Sequence, residues 1–301
     1  MSVRIATWNV NSLNARLDRV LGWLDRAQPD LLLMQETKLA DDGAPLLPFQ
    51  MRGYELLHHG EGRWNGVAVC SRLPIDAASV VTNFGDGPVR NSAAGSERDF
   101  AEEDFNPFDE ARMLSCSVGG IRLVSLYAPN GRVVGSPFYE GKLAWFARLR
   151  RWLDEACSPG DGLVIGGDLN VAPTEIDVWD ATAVHGGTHV SQPERDAFDA
   201  LLEWGLVDGY RTLRPEPQRF SWWDYRAGNF HKNLGMRIDH LLLSRPLSER
   251  LVWAEIDREA RKGTPIPSDH APLLVDLDQP GVPIDAGWEG ALKRIAARTR
   301  R

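Results

Sequence analysis

Four short polar blocks interrupt apolar runs at widely separated points, and they constrain the fold more than anything else in the chain. They are Thr7-Trp8-Asn9-Val10-Asn11, Gln35-Glu36-Thr37-Lys38, Gly166-Gly167-Asp168-Leu169-Asn170 and Ser268-Asp269-His270-Ala271-Pro272. Each sets Asn, Asp, Glu or His where a buried run stops or starts. A fold that gathers such ends assembles hard oxygen ligands and one imidazole, the equipment for magnesium-assisted attack on a phosphodiester. Cutting the chain into two domains would divide the blocks. They therefore predict one α/β domain over residues 1–278, followed by a peripheral basic tail, 279–301.

The punctuation between the blocks supports an α/β reading. Val3–Val10 reads as a buried strand, and Asn11 or Ser12 can cap an amphipathic helix over Leu13–Ala27, which Pro29 stops. Further strands are expected at 30–35, 54–58, 66–71, 163–165, 221–225, 236–243 and 272–277. A hairpin is expected from Met113–Val118 and Ile121–Tyr127 across Gly119-Gly120. Helices are expected over 138–156 and 192–204. Strands, hairpins and helices mixed in this way suggest two packed sheets covered by helices.

Charge and cysteine content narrow the setting. The formal net charge is −8, but seven acids against one arginine lie between Ser96 and Glu110, inside a loop-like acidic segment over 83–111. Local patches decide phosphate binding, so the total neither supports nor excludes DNA. We expect the acidic segment to lie outside any DNA cleft, because its acids would repel the backbone. No apolar run approaches the ~20 residues that cross a bilayer. Cys70, Cys116 and Cys157 lack any CxxC spacing and read as reduced thiols of a cytoplasmic protein.

Each candidate has a plainer competing role. Glu36 follows an apolar run, where a carboxylate reaches the surface; it is a magnesium ligand or a helix N-terminal acid. Asn9 and Asn11 are metal-site amides or helix caps. In Gly166-Gly167-Asp168-Leu169-Asn170 the glycines permit close backbone approach, and an extended chain would put Asp168 and Asn170 on one side; an Asx turn is the alternative. His270, between Asp269 and a strand, is a candidate phosphate contact, with Asp239 available elsewhere. The other histidines have no ligand spacing, and the cysteines complete no zinc set.

With Tyr127-Ala128-Pro129-Asn130-Gly131, Arg237-Ile238-Asp239 and Phe220-Ser221-Trp222-Trp223 between them, these blocks resemble the ordered motifs of the endonuclease/exonuclease/phosphatase superfamily. They are most similar to its exonuclease III branch of abasic-site endonucleases, over nearly the whole chain. The resemblance implies a four-layer α/β sandwich, dependence on Mg2+ or Mn2+, and DNA repair by a monomer acting on double-stranded DNA with abasic sites or damaged 3′ ends. It implies catalytic roles for Tyr127, Asp168, Asn170, Asp239 and His270. The implied metal site comprises Asn9, Glu36, Asp168, Asn170, Asp269 and His270. It implies substrate contacts from Asn11, Arg132, Trp222, Trp223, Met236 and Ile238, with Trp222, Met236 and Ile238 walling a slot for a flipped-out abasic sugar. Tyr127 would bond the phosphate or act as phenolate. Arg226 and Arg237 would touch phosphates, and Trp64 or Asn65 the minor groove. The acidic segment and the tail depart from the branch. Two rival readings are a phosphatase or phospholipase of the same superfamily, and a non-catalytic protein that binds damaged DNA.

Overall fold

The computed structural model describes residues 2–86, 106–216 and 218–299. Most of the acidic segment, residues 87–105, lies outside them, and so does the expectation about its placement.

Among the described residues, twelve strands form two six-stranded sheets. The first holds β1 (Val3–Asn9), β2 (Leu31–Gln35), β3 (Glu55–His59), β4 (Val67–Ser71), β11 (Leu251–Ile256) and β12 (Leu273–Leu277), in the order β11-β12-β1-β2-β4-β3. The second holds β5 (Ile75–Thr82), β6 (Met113–Val118), β7 (Ile121–Tyr127), β8 (Leu163–Asp168), β9 (Leu206–Asp208) and β10 (Asp239–Ser244), in the order β5-β6-β7-β8-β10-β9. Helix α1 (Leu13–Ala27) covers the outside of the first sheet, and helices α2 (Pro137–Ala156) and α3 (Gln192–Glu203) cover the second. This is the four-layer sandwich.

Alternation along the strands explains the layers. In β1 and β2, Ile5, Leu31 and Leu33 point between the sheets, while Ala6, Trp8, Leu32 and Met34 point toward α1. Both faces are buried, so these strands read as continuous apolar runs. Ser12 begins α1 by accepting from the Ala15 amide, and the trailing glycines of β8 let the sheets close. A Cβ on Gly166 would stand 2.4 Å from Leu33 of the facing sheet, and one on Gly167 would stand 1.9 Å from the Leu126 carbonyl oxygen on β7, its neighbour within the same sheet.

Topology places the site. Parallel pairs β1/β2 and β7/β8 are each joined by a crossover helix, α1 and α2. Their register sets Asn9 beside Gln35 and Tyr127 beside Asp168, while antiparallel β10 sets Asp239 opposite Asp168. The polar blocks therefore converge at one end of the sandwich, outside the strand ends, as in open α/β sheets generally.

The structure departs from the sequence reading in several places. β8 runs to Asp168, three residues beyond the expected end, because ladders on both sides hold Gly166 and Gly167 extended. Residues 221–225 form no strand; Trp222 makes only isolated bridges, to Met236 and His270. Strands β5, β9 and β11 were not expected. The tail, read as peripheral from its charge, carries helix α4 (Trp288–Thr299), and Trp288 is buried in the inter-sheet core.

Candidate active site

Non-glycine residues with left-handed backbone concentrate at this end of the sandwich: Asn11, Ser12, Glu36, Lys38, Asn65, Arg132, Asn170 and His189. Such conformations are uncommon and gather where function demands a particular side-chain direction. Here they turn the chain sharply just past the ends of β1, β2 and β8.

Asn9 sits at the centre. Its Nδ2 donates to Glu36 Oε1 at 2.8 Å and to Asp168 Oδ2 at 2.9 Å. Its Oδ1 accepts the Asn11 amide at 3.0 Å, so Asn9 shows the centre a donor and not a ligand oxygen. In this arrangement Asn9 clamps the two carboxylates together. Ser268 Oγ donates to the Asn9 carbonyl at 2.7 Å, tying β1 to the Ser268-Asp269-His270 block.

Asp168 and Asn170 do not lie side by side on an extended chain. Asn170 has a φ of 53°, and its amide donates to Asp168 Oδ1 at 3.0 Å, the Asx turn. Its side chain donates to the Ala128 carbonyl and accepts from Asn130 Nδ2 at 3.2 Å. Asn170 thus orients Asp168 and joins it to the Tyr127-Ala128-Pro129-Asn130 loop; its own side-chain groups are engaged away from a metal.

His270 is held between carboxylates. Nδ1 lies 2.8 Å from Asp239 Oδ2 and Nε2 lies 3.7 Å from Asp168 Oδ2. Burial disfavours the imidazolium, but Asp239 and then Asp168 outweigh it and push the pKa up to about 10. The ring is therefore charged at neutral pH, a hydrogen-bond donor at both nitrogens and a poor metal ligand. Burial pushes Asp168 up to about 7, against the pull of His270. For Tyr127, burial and the Glu36 carboxylate raise the phenol well above its ordinary value, so it is a neutral donor and not a phenolate.

The donor set fits a divalent cation. One carboxylate oxygen of Glu36 and one of Asp168 lie within 4.8 Å of each other and of a His270 nitrogen; the two carboxylates are the candidate ligands, with the imidazolium beside them. Asp239 Oδ1 is buried with no hydrogen-bond partner, and the carboxyl groups of Glu36, Asp168 and Asp239 gather there against two cations, the His270 imidazolium and the Lys38 ammonium. The Lys38 ammonium already sits 2.8 Å from Glu36 Oε2 and 2.7 Å from Asn11 Oδ1, which marks where positive charge is drawn. Magnesium takes one or two carboxylates plus waters, and Glu36 and Asp168 supply them.

The remaining expected residues divide. Asn11 Nδ2 and Trp222 Nε1 each donate to Asp269, at 2.9 and 3.1 Å, so both Asp269 oxygens are engaged beside the Glu36–Asp168 pair. Trp222, Met236 and Ile238 do come together, around Val178, although Ile238 is buried. Trp223 is a correction. It is wholly buried in the inter-sheet core, and its Nε1 donates to Asn233. Arg237 is another, paired with Asp177 at 2.6 Å and Asp208 at 2.8 Å behind the site. Arg226 is exposed on Asp224, and Asn65 bonds Glu61. Arg132 lies at the rim over the Phe138 ring, lining a cleft of about 270 Å³ with Glu36, Lys38, Trp64 and Arg112.

Several neighbours went unread in the sequence. Lys38 belongs to a quoted block, and its spacing of two from Glu36 was the available signal. Arg112 stacks over the Tyr127 ring at 4.8 Å and bonds Glu110. His189 lies against Asn170 and 6.4 Å from Trp222, ring to ring; burial and Lys142 hold it down at about 4, so it stays neutral. Nothing local in the sequence marks it.

Residues 6–270 match the Endonuclease/Exonuclease/phosphatase family. The chain belongs to that family. It is 28% identical over 288 residues to the exodeoxyribonuclease III of Haemophilus influenzae, covering 91% of this chain and 100% of that one. Among solved structures, an AP endonuclease from Archaeoglobus fulgidus aligns with a TM-score of 0.81 at 33% identity, over 92% of this chain and 100% of the other. The 3′ phosphatase NExo from Neisseria, bound to a product DNA hairpin, aligns with a TM-score of 0.80 at 34% identity and the same coverage. Among the described residues no helix is long and apolar enough to cross a membrane.

Proposed function

We propose that this chain is a DNA repair nuclease of exodeoxyribonuclease III type. It hydrolyses the phosphodiester on the 5′ side of abasic sites in double-stranded DNA and trims nucleotides or blocking groups from 3′ ends. It works with magnesium, or manganese in its place, as a cytoplasmic monomer. The observation carrying this is the convergence of Glu36, Asp168 and His270, clamped by Asn9. Relatives named for AP endonuclease, exodeoxyribonuclease and 3′ phosphatase activity support the substrate class.

Glu36 and Asp168 would hold the metal, which when bound supplies charge neutralisation at the phosphate and the leaving oxygen. Asp168, buried and aimed by Asn9 and the Asn170 amide, orients the attacking water and accepts its proton. Asn170, through its amide, keeps Asp168 aimed. The His270 imidazolium donates from Nε2 to a non-bridging phosphate oxygen as negative charge develops there, while Asp239 fixes the ring at Nδ1. Tyr127, as neutral phenol, donates to the same phosphate. Trp222 and Met236, backed by the buried Ile238, form the apolar wall that a sugar without its base would meet.

Asp168→Asn keeps shape and removes the charge. Single-turnover cleavage of abasic duplex should fall at least ~10²-fold with DNA binding retained. A folded variant cleaving at the wild-type rate would refute the assignment.

A further inference from the structure

Helix α4 lies beyond the span that matches the family, which ends at residue 270, yet it is firmly docked. Trp288 is buried, its Nε1 donates to the Ile256 carbonyl at 2.7 Å, and its ring lies 6.0 Å from that of Trp223. Ala286 and Ala291 are buried beside it. This docking brings Arg294 to a cleft of about 310 Å³ that it shares with Phe230, His231, Arg258 and Lys262.

The cleft gathers Arg258, Lys262 and Arg294, of which only Lys262 has an ion-pair partner among the described residues. Arg258 is only 3% exposed; its Nη2 donates to the Phe230 carbonyl, and its buried Nε has no partner. Arg261, next along, spends both Nη groups on the carbonyls of Ser268 and Trp223, and its Nε is likewise buried and unpartnered. Among the described residues no carboxylate forms an ion pair with Arg258, Arg261 or Arg294; Lys262 pairs with Glu259. Burial, then the nearby Arg294 charge, lowers Arg258 to about 10. Stacking explains part of this arrangement, since Arg258 lies 4.0 Å from the Phe230 ring centroid and between the indoles of Trp223 and Trp288. It does not explain Arg294, exposed on α4 and lining the same cleft with no counter-ion.

Arg261 ties the cluster to Ser268 and Trp223, whose chain neighbours Asp269 and Trp222 flank the catalytic centre. We infer that α4 and the Arg258–Lys262 loop form an accessory phosphate subsite, which grips the backbone of duplex DNA beside the scissile position. This rests on the nuclease reading above. A nucleic-acid backbone suits it because one polymer presents phosphates to the catalytic centre and to this cleft together, and guanidinium groups fit phosphate oxygens bidentately. The basic face of α4 then extends the grip, since Lys293 is also exposed.

The test is fluorescence anisotropy of a labelled abasic duplex, in magnesium, with the full chain carrying Asp168→Asn to prevent cleavage. Arg294 is exposed, so Arg294→Ala should fold normally. Its loss removes one phosphate contact, so the slope of log Kobs against log salt should become shallower by about 0.9. The affinity deficit should accordingly shrink about threefold between 50 and 200 mM salt. Arg294→Lys should restore most of the slope, a result that simple packing would not give. Wild-type affinity and slope in Arg294→Ala would overturn the subsite. Should the unmodified chain fail to cleave DNA at all, the nuclease reading fails first; cleavage with an unchanged Arg294→Ala slope defeats this inference alone.

Discussion

Lys142→Met should be among the most damaging substitutions outside the catalytic groups. Lys142 on α2 and Glu194 on α3 form an ion pair with both side chains fully buried. The Lys142 ammonium also donates to the Asn170 carbonyl at 2.6 Å, so the pair props the turn that aims Asp168. Methionine keeps the volume and leaves the Glu194 carboxylate buried without a counter-ion. Breaking such a pair costs about 3–5 kcal/mol. Glu194 would keep the donors Thr188 Oγ1, the His189 amide and the Ser191 amide and hydroxyl, which places the cost near the lower end, about 3 kcal/mol. At roughly 2–4 °C per kcal/mol for a large domain, the melting point should drop by roughly 6–12 °C. Urea unfolding followed by tryptophan fluorescence reads this directly, with m unchanged. Adding Glu194→Gln removes the stranded charge and should recover most of the loss. A cost below about 1 kcal/mol, or a double variant weaker than the single, would refute the reasoning.

Glu36→Ala should abolish cleavage at low magnesium and recover part of it at high magnesium, since Asp168 remains as a ligand; unchanged metal dependence in a folded variant would remove Glu36 from the metal site. Asp239→Asn removes the principal charge that raises His270, so the basic limb of the pH–rate profile should move down toward neutrality, with activity at pH 8 falling at least ~10²-fold and partly recovering as pH is lowered. In the wild type the folded His270 pKa, about 10, lies above the unfolded value of 6.5. Its contribution to stability is therefore complete below about pH 6.5 and is lost as pH rises toward 10, which urea midpoints across that range would reveal.

Much of the fold was legible because local signals agreed. The bounds of α1 and of the β6–β7 hairpin coincide with the sequence reading, since apolar period, caps and glycine turns all pointed the same way. Residues 221–225 misled because aromatic enrichment imitates a strand, whereas their backbone makes only isolated bridges, to Met236 on one side and to the Asp269–Ala271 stretch on the other. Adjacent Trp222 and Trp223 show a related limit: alternation says that they face opposite sides, and only packing says which one faces the core. Arg237 was read as a phosphate contact because Asp177 and Asp208, which engage it, come from distant parts of the chain. The blocks carried Asn9, Glu36, Asp168 and His270, with Asp239 added by the resemblance, and the fold brings these five side chains together. The direction of each group was not visible there. It depends on bonds such as Asn11 amide to Asn9 Oδ1, which turn the Asn9 nitrogen toward the two carboxylates.

The most direct test of the nuclease account is incubation of the purified chain with a duplex carrying one abasic site, in parallel with a duplex ending in a 3′ phosphate, each with magnesium and with chelator. The account predicts scission on the 5′ side of the abasic sugar leaving a 3′-hydroxyl, together with release of phosphate from the blocked end, both only with the metal. No cleavage of either duplex, alongside metal-dependent release of phosphate from inositol phosphates or phospholipids, would contradict it.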